Sequence, residues 1–181
     1  MASNAAAFAV WITGLPASGK STVTRALASQ LAARGIEAAV LESDAMRKVF
    51  TPHPQYTEEE RNLFYNQMTW VGALLVSHGV PVIFDATANR RSWREDARRT
   101  IPRLLEVYVD APLNVCMARD PKGIYRQAGQ AETSSVPGLQ TPYEPPERPD
   151  IVVNGDRDDP ESAARSIVAS LLEKRYITAE D

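Results

Sequence analysis

The chain has 181 residues, of which 44% are hydrophobic and 24% are charged, and these values suit one globular domain with a full core. Its net charge of −3 excludes the overall basic field that general nucleic-acid binders use. The single cysteine and two histidines exclude an internal disulfide and make a zinc site of several Cys or His ligands improbable. No apolar stretch is long enough to span a bilayer, and no basic signal region is present, so we expect a cytoplasmic protein with no membrane association.

Hydrophobic patterning predicts strands that alternate with helices. The predicted strands are 8–13, 38–42, 81–85, 104–109 and 151–153. The predicted helices are 20–34, 57–78, 92–99 and one that begins at 159–160. Thr57 and Glu60 form the capping-box pattern T-x-x-E at the start of the second helix, in which each side chain binds the other residue's backbone N–H. Because the first strand is a continuous apolar run, typical of a strand buried on both faces, this order predicts an α/β fold. We expect a doubly wound, mainly parallel sheet of about five strands with helices on both faces, as one domain over 1–181.

One segment, 120–149, breaks this alternation, because it has no convincing period and holds six of the 13 prolines. A loop of this length is usually either a functional lid or a disordered insertion. Its cations Lys122 and Arg126 favour a lid over a site that binds anions. We therefore predict a lid.

Residues 14–21 read GLPASGKS and match the P-loop pattern G-x-x-x-x-G-K-[ST] between a strand and a helix, which predicts the P-loop NTPase fold. In such a loop the lysine, here Lys20, bridges the outer phosphates of a nucleotide, and the hydroxyl of Ser21 ligates Mg²⁺. The residues predicted to bind the nucleotide are Gly14, Ala17, Ser18, Gly19, Lys20, Ser21 and Thr22. No N-K-x-D sequence of guanine-binding GTPases is present, so ATP is favoured.

Two carboxylates follow predicted strands. Asp85 ends the run VIFD, where it can hold Mg²⁺ directly or through water. Asp44 follows the second strand, where it can accept the proton of a substrate hydroxyl or take part in the metal site. It also suits the N-cap of a short helix over 45–50, and the two roles can coexist. Arg47 would point from that helix toward the same cleft.

Four segments together resemble the adenylylsulfate kinases, which transfer the γ-phosphate of ATP to the ribose 3′-hydroxyl of adenylylsulfate. The segments are GLPASGKST, ESDAMRK, ARDPKGIYRQA with AET, and GLQTPYEPPERPDIVV. The resemblance covers nearly the whole chain. It implies a kinase that uses ATP and Mg²⁺ on a small nucleotide, and a possible homodimer because family members are often dimers.

The resemblance also implies roles for single residues. It makes Asp44 the carboxylate of the catalytic site, with Lys20, Arg119 and Lys122 completing the catalytic set. Arg47 and Arg61 would contact adenylylsulfate. The lid residues Lys122 and Arg126, with Arg119, would close over the two nucleotides and place positive charge where the transferring phosphoryl group gains negative charge.

Some positions depart from the family pattern. Tyr56 and Val136 stand where the family has two phenylalanines that stack on adenine, and the residues at 63–67 replace the run E-N-I-R-R. The segment DATANRR at 85–91 replaces S-P-Y-R and resembles the D-x-T-N pattern of kinases related to polynucleotide 5′-hydroxyl kinases. The remaining residues assigned to substrate binding are Tyr56, Thr87, Asn89 and Val136.

These departures keep an alternative open, in which a kinase of the same fold phosphorylates another nucleotide, a small metabolite or a polynucleotide 5′ end. A nucleotide switch or an ATPase without an acceptor is a third hypothesis, which the acidic group and the cationic lid disfavour. The arginine-rich stretch at 90–103 is interpreted as a solvated helix face in which Glu95 pairs with Arg91, so nucleic acid is not expected as a partner. Trp11, Trp70 and Cys116 are predicted to be core residues.

Overall fold

The structure is a computed structural model that describes residues 7–129 and 135–178. Its five strands form one sheet in the order β2-β3-β1-β4-β5, and each pair of neighbours is parallel. The strands are β1 Ala9–Thr13, β2 Ala39–Glu42, β3 Val82–Asp85, β4 Leu104–Asp110 and β5 Ile151–Asn154. The helices are α1 Lys20–Ala32, α2 Ser43–Phe50, α3 Glu58–Ser77, α4 Arg91–Thr100, α5 Leu113–Arg119, α6 Ile124–Ala128 and α7 Pro160–Glu173. The predicted α/β fold with a parallel sheet is confirmed.

The core is divided between the two faces of the sheet. Side chains alternate along a strand, so Val10 and Ile12 of β1 face the layer of α1 and α7, whereas Ala9 and Trp11 face the layer of α3 and α4. All four side chains are fully buried. Burial of each large apolar side chain contributes about 1.5–3 kcal/mol, and burial on both faces explains why β1 reads as a continuous apolar run.

The start of α3 follows the predicted capping pattern in part. The hydroxyl of Thr57 accepts a hydrogen bond from the backbone N–H of Glu60 at 3.2 Å, as predicted. The carboxylate of Glu60 does not return to Thr57. It instead accepts from the backbone N–H groups of Tyr56 and of the residue before it, and this contact holds the turn that leads into the helix.

The predicted burial of Trp70 is wrong, because 64% of this side chain is exposed. The inward face of α3 is formed by Phe64, Met68 and Gly72. Trp70 comes two residues after Met68 and two before Gly72, and in a helix with 3.6 residues per turn this spacing places it close to the opposite, outward side. Trp11 and Cys116 are buried, as predicted. None of the helices in the described ranges is long and apolar enough to cross a membrane.

Two expectations about charged residues are also wrong. Asp44 is not the N-cap of a short helix, because α2 begins at Ser43 with Glu42 at the cap position. The arginine-rich stretch is not simply a solvated face, since Arg94 is only 1% exposed. Arg91 pairs with Glu147, a residue that is distant in sequence. The reason is tertiary: partners from other elements come close enough to replace water around these cations.

Candidate active site

The P-loop joins β1 to α1 and has the backbone conformation that its glycines permit. Gly14 has φ 149° and Gly19 has φ 111°, values that side-chain-bearing residues rarely adopt. A Cβ at Gly14 would overlap with the carbonyl oxygen of Val109 and the hydroxyl of Ser18. The buried Ser18 hydroxyl has no hydrogen-bond partner within the described ranges. An orphaned donor beside a helix N-terminus fits a loop built to bind phosphate.

Lys20 lies in the loop with 8% of the residue exposed. Its ammonium donates hydrogen bonds to the carbonyl oxygens of Gly14 at 3.2 Å and Leu15 at 2.8 Å. Burial lowers the pKa of Lys20 to about 8, and the nearby carboxylates of Asp85 and Asp44 oppose this shift. A buried cation that only carbonyl groups hold is poised to bind an anion.

Asp85 and Ser21, the predicted Mg²⁺ ligands, both line the same cleft. Asp85 ends β3 and is 4% exposed, whereas Ser21 lies in the first turn of α1. Mg²⁺ prefers such hard oxygens and usually keeps water and phosphate ligands as well, so a hydroxyl and one carboxylate suit it. Within residues 7–129 and 135–178, no three His, Cys, Asp or Glu side chains form a group that could hold a metal ion.

The predicted catalytic carboxylate and a predicted lid cation are in contact. The ammonium of Lys122 donates to Oδ2 of Asp44 at 2.5 Å and lies 3.8 Å from a carboxylate oxygen of Glu42. The hydrogen bond that Lys122 donates to Asp44 raises the pKa of Lys122. This contact joins segment 120–129 to the end of β2 across the cleft.

These groups line one cleft of about 690 Å³, a volume in the range of small-molecule sites. Its predicted members are Ala17, Gly19, Lys20, Ser21, Thr22, Asp44, Asp85, Thr87, Arg119 and Lys122. The sequence analysis missed the other end of the cleft, which includes Arg25 and the loop over 155–160. This loop follows β5, and ligands of parallel sheets bind beyond the carboxyl ends of the strands, a rule that could have identified it.

Arg119 and Arg126 differ in their relation to this cleft. Arg119 ends α5, and its guanidinium donates to the carbonyl oxygen of Gly155 at 2.7 Å, so it reaches the loop after β5. Arg126 is exposed on α6 and does not line the cleft. Its backbone N–H donates to Asp120 at 3.0 Å, which fixes the start of α6.

A second group of predicted substrate residues lies around Tyr56, outside the lining of this cleft. The guanidinium carbons of Arg47 and Arg61 lie 5.2 Å and 5.4 Å from the centroid of the Tyr56 ring. Arg61 donates to Oδ1 of Asn89 at 3.2 Å, and burial lowers its pKa. Tyr56 is 43% exposed, so a partly exposed aromatic ring lies beside two cations.

Val136 is not part of this aromatic group. It packs against the small cluster formed by Ala111, Cys116 and Tyr125, next to the P-loop residues Leu15 and Ala17. The structure therefore places the two positions that the resemblance paired as an adenine clamp in different surroundings. Thr87 lines the cleft, and its carbonyl oxygen accepts from the hydroxyl of Thr13 at the end of β1.

Comparison with known proteins agrees with this site. A family model described as Adenylylsulphate kinase matches residues 6–154. The adenylyl-sulfate kinase of Microcystis aeruginosa is 38% identical over 168 residues, which cover 93% of either chain. The probable adenylyl-sulfate kinase of Archaeoglobus fulgidus is 37% identical over 152 residues, 84% of this chain and 98% of that one.

A solved structure of the Mycobacterium tuberculosis APS kinase in complex with AMPPNP and APS superposes with a TM-score of 0.84. It is 31% identical in sequence, and the match covers 91% of this chain and 97% of that chain. The fold is therefore shared over almost the full length of a kinase that was solved in complex with AMPPNP and APS. The chain belongs to the adenylylsulphate kinase family.

Proposed function

We propose that the protein transfers the γ-phosphate of ATP to the 3′-hydroxyl of adenylylsulfate, giving ADP and 3′-phosphoadenylylsulfate. The observation that carries this proposal is the Asp44–Lys122 pair in the same cleft as the P-loop. A carboxylate and a cation opposite a phosphate-binding loop suit transfer to a hydroxyl. Membership of the family supports the choice of adenylylsulfate as the acceptor.

The loop residues and Lys20 bind the phosphates of ATP in this mechanism. The N–H groups of the P-loop and the N-terminus of α1 face the anion, and the buried ammonium of Lys20 exchanges its two carbonyl partners for phosphate oxygens. Ser21 and Asp85 would hold Mg²⁺, which when bound neutralises charge on the phosphates. The nucleoside would extend toward the loop over 155–160, where Arg119 holds the carbonyl of Gly155.

Asp44 receives the proton of the acceptor in the transfer step. The 3′-hydroxyl oxygen forms a bond to the γ-phosphorus, its proton moves to the Asp44 carboxylate, and the bond from the γ-phosphorus to the β–γ bridging oxygen breaks to release ADP. Lys122 exchanges its contact with Asp44 for the transferring phosphoryl group, where its charge stabilises the transition state. Arg126 contributes only if segment 120–129 moves toward the nucleotides.

The acceptor lies on the side of Tyr56 in this proposal. The exposed Tyr56 ring offers a stacking face to the adenine, and the adjacent Arg47 and Arg61 carry charge that suits the phosphosulfate. Thr87 lines the cleft, and the buried Asn89 contacts Arg61 on the side of Tyr56. Residues 135–149, here called the arm, would lie over the P-loop, with Val136 packed next to the P-loop residues Leu15 and Ala17.

We further propose a cytoplasmic homodimer. The α3 helix exposes Leu63, Trp70 and Leu74, which are 57%, 64% and 42% exposed, and a second copy of the chain would cover such side chains. Light scattering of the purified protein measures the mass, and a Trp70→Glu variant that remains a dimer would remove α3 from the interface.

A second candidate is transfer to a different hydroxyl, and the position of Asn89 favours it. Asn89 belongs to the segment at 85–91 that departs from the family pattern, and it contacts Arg61 directly. A changed residue in contact with a predicted acceptor residue can change the acceptor. Other nucleosides and polynucleotide 5′ ends are therefore included in the assay as competing acceptors.

The deciding experiment incubates the protein with ATP, Mg²⁺ and adenylylsulfate and separates the nucleotide products, with ATP alone as a control. We expect one ADP for each 3′-phosphoadenylylsulfate. Lys20→Ala and Asp44→Ala should both abolish transfer, whereas Asp96→Ala, a matched change at an exposed aspartate of α4, should not. Turnover of a competing acceptor with none of adenylylsulfate would reject the first candidate in favour of the second. Full turnover by Asp44→Ala would reject the role of Asp44.

A further inference from the structure

Arg94 is the most deeply buried cation within the described ranges, with 1% of the residue exposed. Its Nε donates to Glu106 at 2.8 Å, and its Nη2 donates to the carbonyl oxygen of Glu144 at 2.5 Å. Its Nη1 donates to the carbonyl oxygens of Ala88 and Arg90. A guanidinium so far from water is tolerated because a carboxylate and three carbonyl groups replace its hydration.

The bonds of Arg94 surround a single residue, Asn89. Two of its carbonyl partners belong to the residues immediately before and after Asn89. The third belongs to Glu144, whose own N–H donates to the carbonyl oxygen of Asn89 at 2.8 Å. Ala88 has φ 39°, a left-handed value that is uncommon for alanine and needs support from its surroundings. Arg94 therefore fixes the backbone on either side of Asn89.

The side chain of Asn89 is held just as firmly, with 2% of the residue exposed. Its Oδ1 accepts from Nη1 of Arg61 at 3.2 Å, and its Nδ2 donates to the carbonyl oxygen of Pro142 at 2.9 Å. Because arginine can only donate and a carbonyl can only accept, these partners determine which way the amide points. Asn89 thus joins α3 to the arm, residues 135–149.

Arg61 is the residue through which this junction reaches the acceptor side. Its Nε donates to the carbonyl oxygen of Tyr56 at 3.1 Å, and its Nη2 donates to the carbonyl and hydroxyl oxygens of Ser135 at 2.7 Å and 2.9 Å. Tyr56 has φ 56°, which is also left-handed. All three nitrogens of Arg61 are therefore engaged with the protein, and they hold the Tyr56 turn and the start of the arm.

We propose that Asn89, held by Arg94, is a positioning residue that sets the affinity for the acceptor without setting the affinity for ATP. It acts by fixing the guanidinium of Arg61, and through it the Tyr56 face and the arm. This inference rests on the proposed function, because that function puts the acceptor beside Tyr56. The bonds of the Asn89 side chain do not include a P-loop residue, which is why ATP affinity is expected to be independent of it.

The kinetic test compares Asn89→Ala with Asn66→Ala, the same change at an exposed asparagine of α3. KM values are measured for adenylylsulfate and for ATP separately. We expect Asn89→Ala to raise the KM for adenylylsulfate at least about tenfold and to leave the KM for ATP within about twofold. Asn66→Ala should resemble the wild type. Equal increases in both KM values, or no change in either, would overturn the proposal.

Two further variants separate the parts of the junction. Asn89→Asp keeps an oxygen for Arg61 but loses the N–H that binds Pro142, so its KM for adenylylsulfate should lie between those of the wild type and Asn89→Ala. Arg94→Lys keeps the charge but cannot reach carbonyls on both sides of Asn89. It should raise the KM for adenylylsulfate and not that for ATP, and an unchanged KM would remove Arg94 from the proposal.

Hydrogen exchange of the wild type and variants tests the same contacts without the reaction. Asn89→Ala should speed exchange in peptides that cover 55–61 and 135–145 and leave the P-loop peptide over 14–25 unchanged, whereas Asn66→Ala should alter none of them. Unchanged protection at 55–61 and 135–145 would overturn the inference. A wild type that does not phosphorylate adenylylsulfate would instead reject the proposed function, and the exchange result would still decide whether Asn89 holds these segments.

Discussion

The lowered pKa of Lys20 predicts that ATP binding weakens as the pH rises above 8. Burial lowers this pKa from 10.5 to about 8. Phosphate groups near the ammonium favour its charged form and raise the pKa in the complex. Binding above pH 8 therefore requires uptake of a proton, and the apparent affinity should follow the protonated fraction of the free protein.

The size of the effect follows from the two pKa values. With a pKa of about 8, about three quarters of the molecules carry a protonated Lys20 at pH 7.5 and about one eleventh do so at pH 9.0, so the affinity should fall about eightfold. An ordinary lysine, with a pKa of about 10.4, would lose only about 3–4% of its protonated form over the same range. The two cases are easily distinguished.

The assay is equilibrium binding of ATP with Mg²⁺ and without acceptor at three pH values between 7.5 and 9.0. Lys20→Arg is the control, because a guanidinium stays charged throughout this range. It should bind ATP more weakly but with an affinity that does not depend on pH. A wild-type affinity for ATP that is constant across this pH range would refute the reasoning from burial. So would an affinity of Lys20→Arg that falls with pH as steeply as that of the wild type.

Three further predictions concern the core and the cleft. Arg94→Met should lower the free energy of unfolding by about 3–5 kcal/mol, since it removes the nearer of the two arginines that pair with the buried Glu106 and the donor to three carbonyl groups. Arg99→Met at an exposed position should change it by less than about 0.5 kcal/mol; similar urea midpoints would contradict this. Gly72→Ala should cost about 1–3 kcal/mol in thermal unfolding, because its Cβ overlaps with the Phe84 ring, and an unchanged melting temperature would show that the ring yields. Lys122→Ala should reduce kcat about 10- to 100-fold with little effect on the KM for ATP; an unchanged kcat would remove it from the transfer step.

The phosphate half of the site could be predicted from the sequence because its residues are local. The P-loop is one contiguous segment. Asp85 ends β3, and Asp44 lies two residues after the end of β2. In a parallel sheet these strand ends meet at one edge, and β2, β3 and β1 are adjacent in the observed order. The contact between Lys122 and Asp44 was not predicted, since 78 residues separate them; the resemblance implied only that both belong to the catalytic set.

Arg94 shows why the rest could not be predicted in this way. Periodicity placed it on an arginine-rich helix, where a solvated face is the common outcome, and its burial depends on partners in β4 and in the arm. One signal was present: the strand LLEVYV carries Glu106 between apolar residues, and a carboxylate buried in a central strand needs a cation. The predicted burial of Trp70 was wrong for a similar reason, because about one residue in three or four along an apolar helix still faces solvent.

The departures from the family pattern at 63–67 have a structural meaning that the sequence did not reveal. Asn66 is exposed, as is Leu63, whereas Phe64 and Tyr65 turn inward. The ring of Phe64 lies 3.9 Å below the guanidinium carbon of Arg47, and the hydroxyl of Tyr65 accepts from the N–H of Ala88 at 3.1 Å. Both aromatic residues therefore support the acceptor side from within.

On the proposed function, we expect this exchange to change how the acceptor is recognised and to leave the transfer step in place. The asparagine of the family run is replaced by Phe64, whose ring contacts Arg47, and its isoleucine is replaced by Tyr65, whose hydroxyl holds the backbone of Ala88. Asn66 and Gln67 replace its two arginines. Fewer side chains are then left to contact an acceptor, and those that remain, such as Arg47 and Arg61, are held in place by other residues of the protein. Affinity for the acceptor should accordingly be more sensitive to the loss of a support than the transfer step is, because the P-loop and Asp44 lie on separate elements.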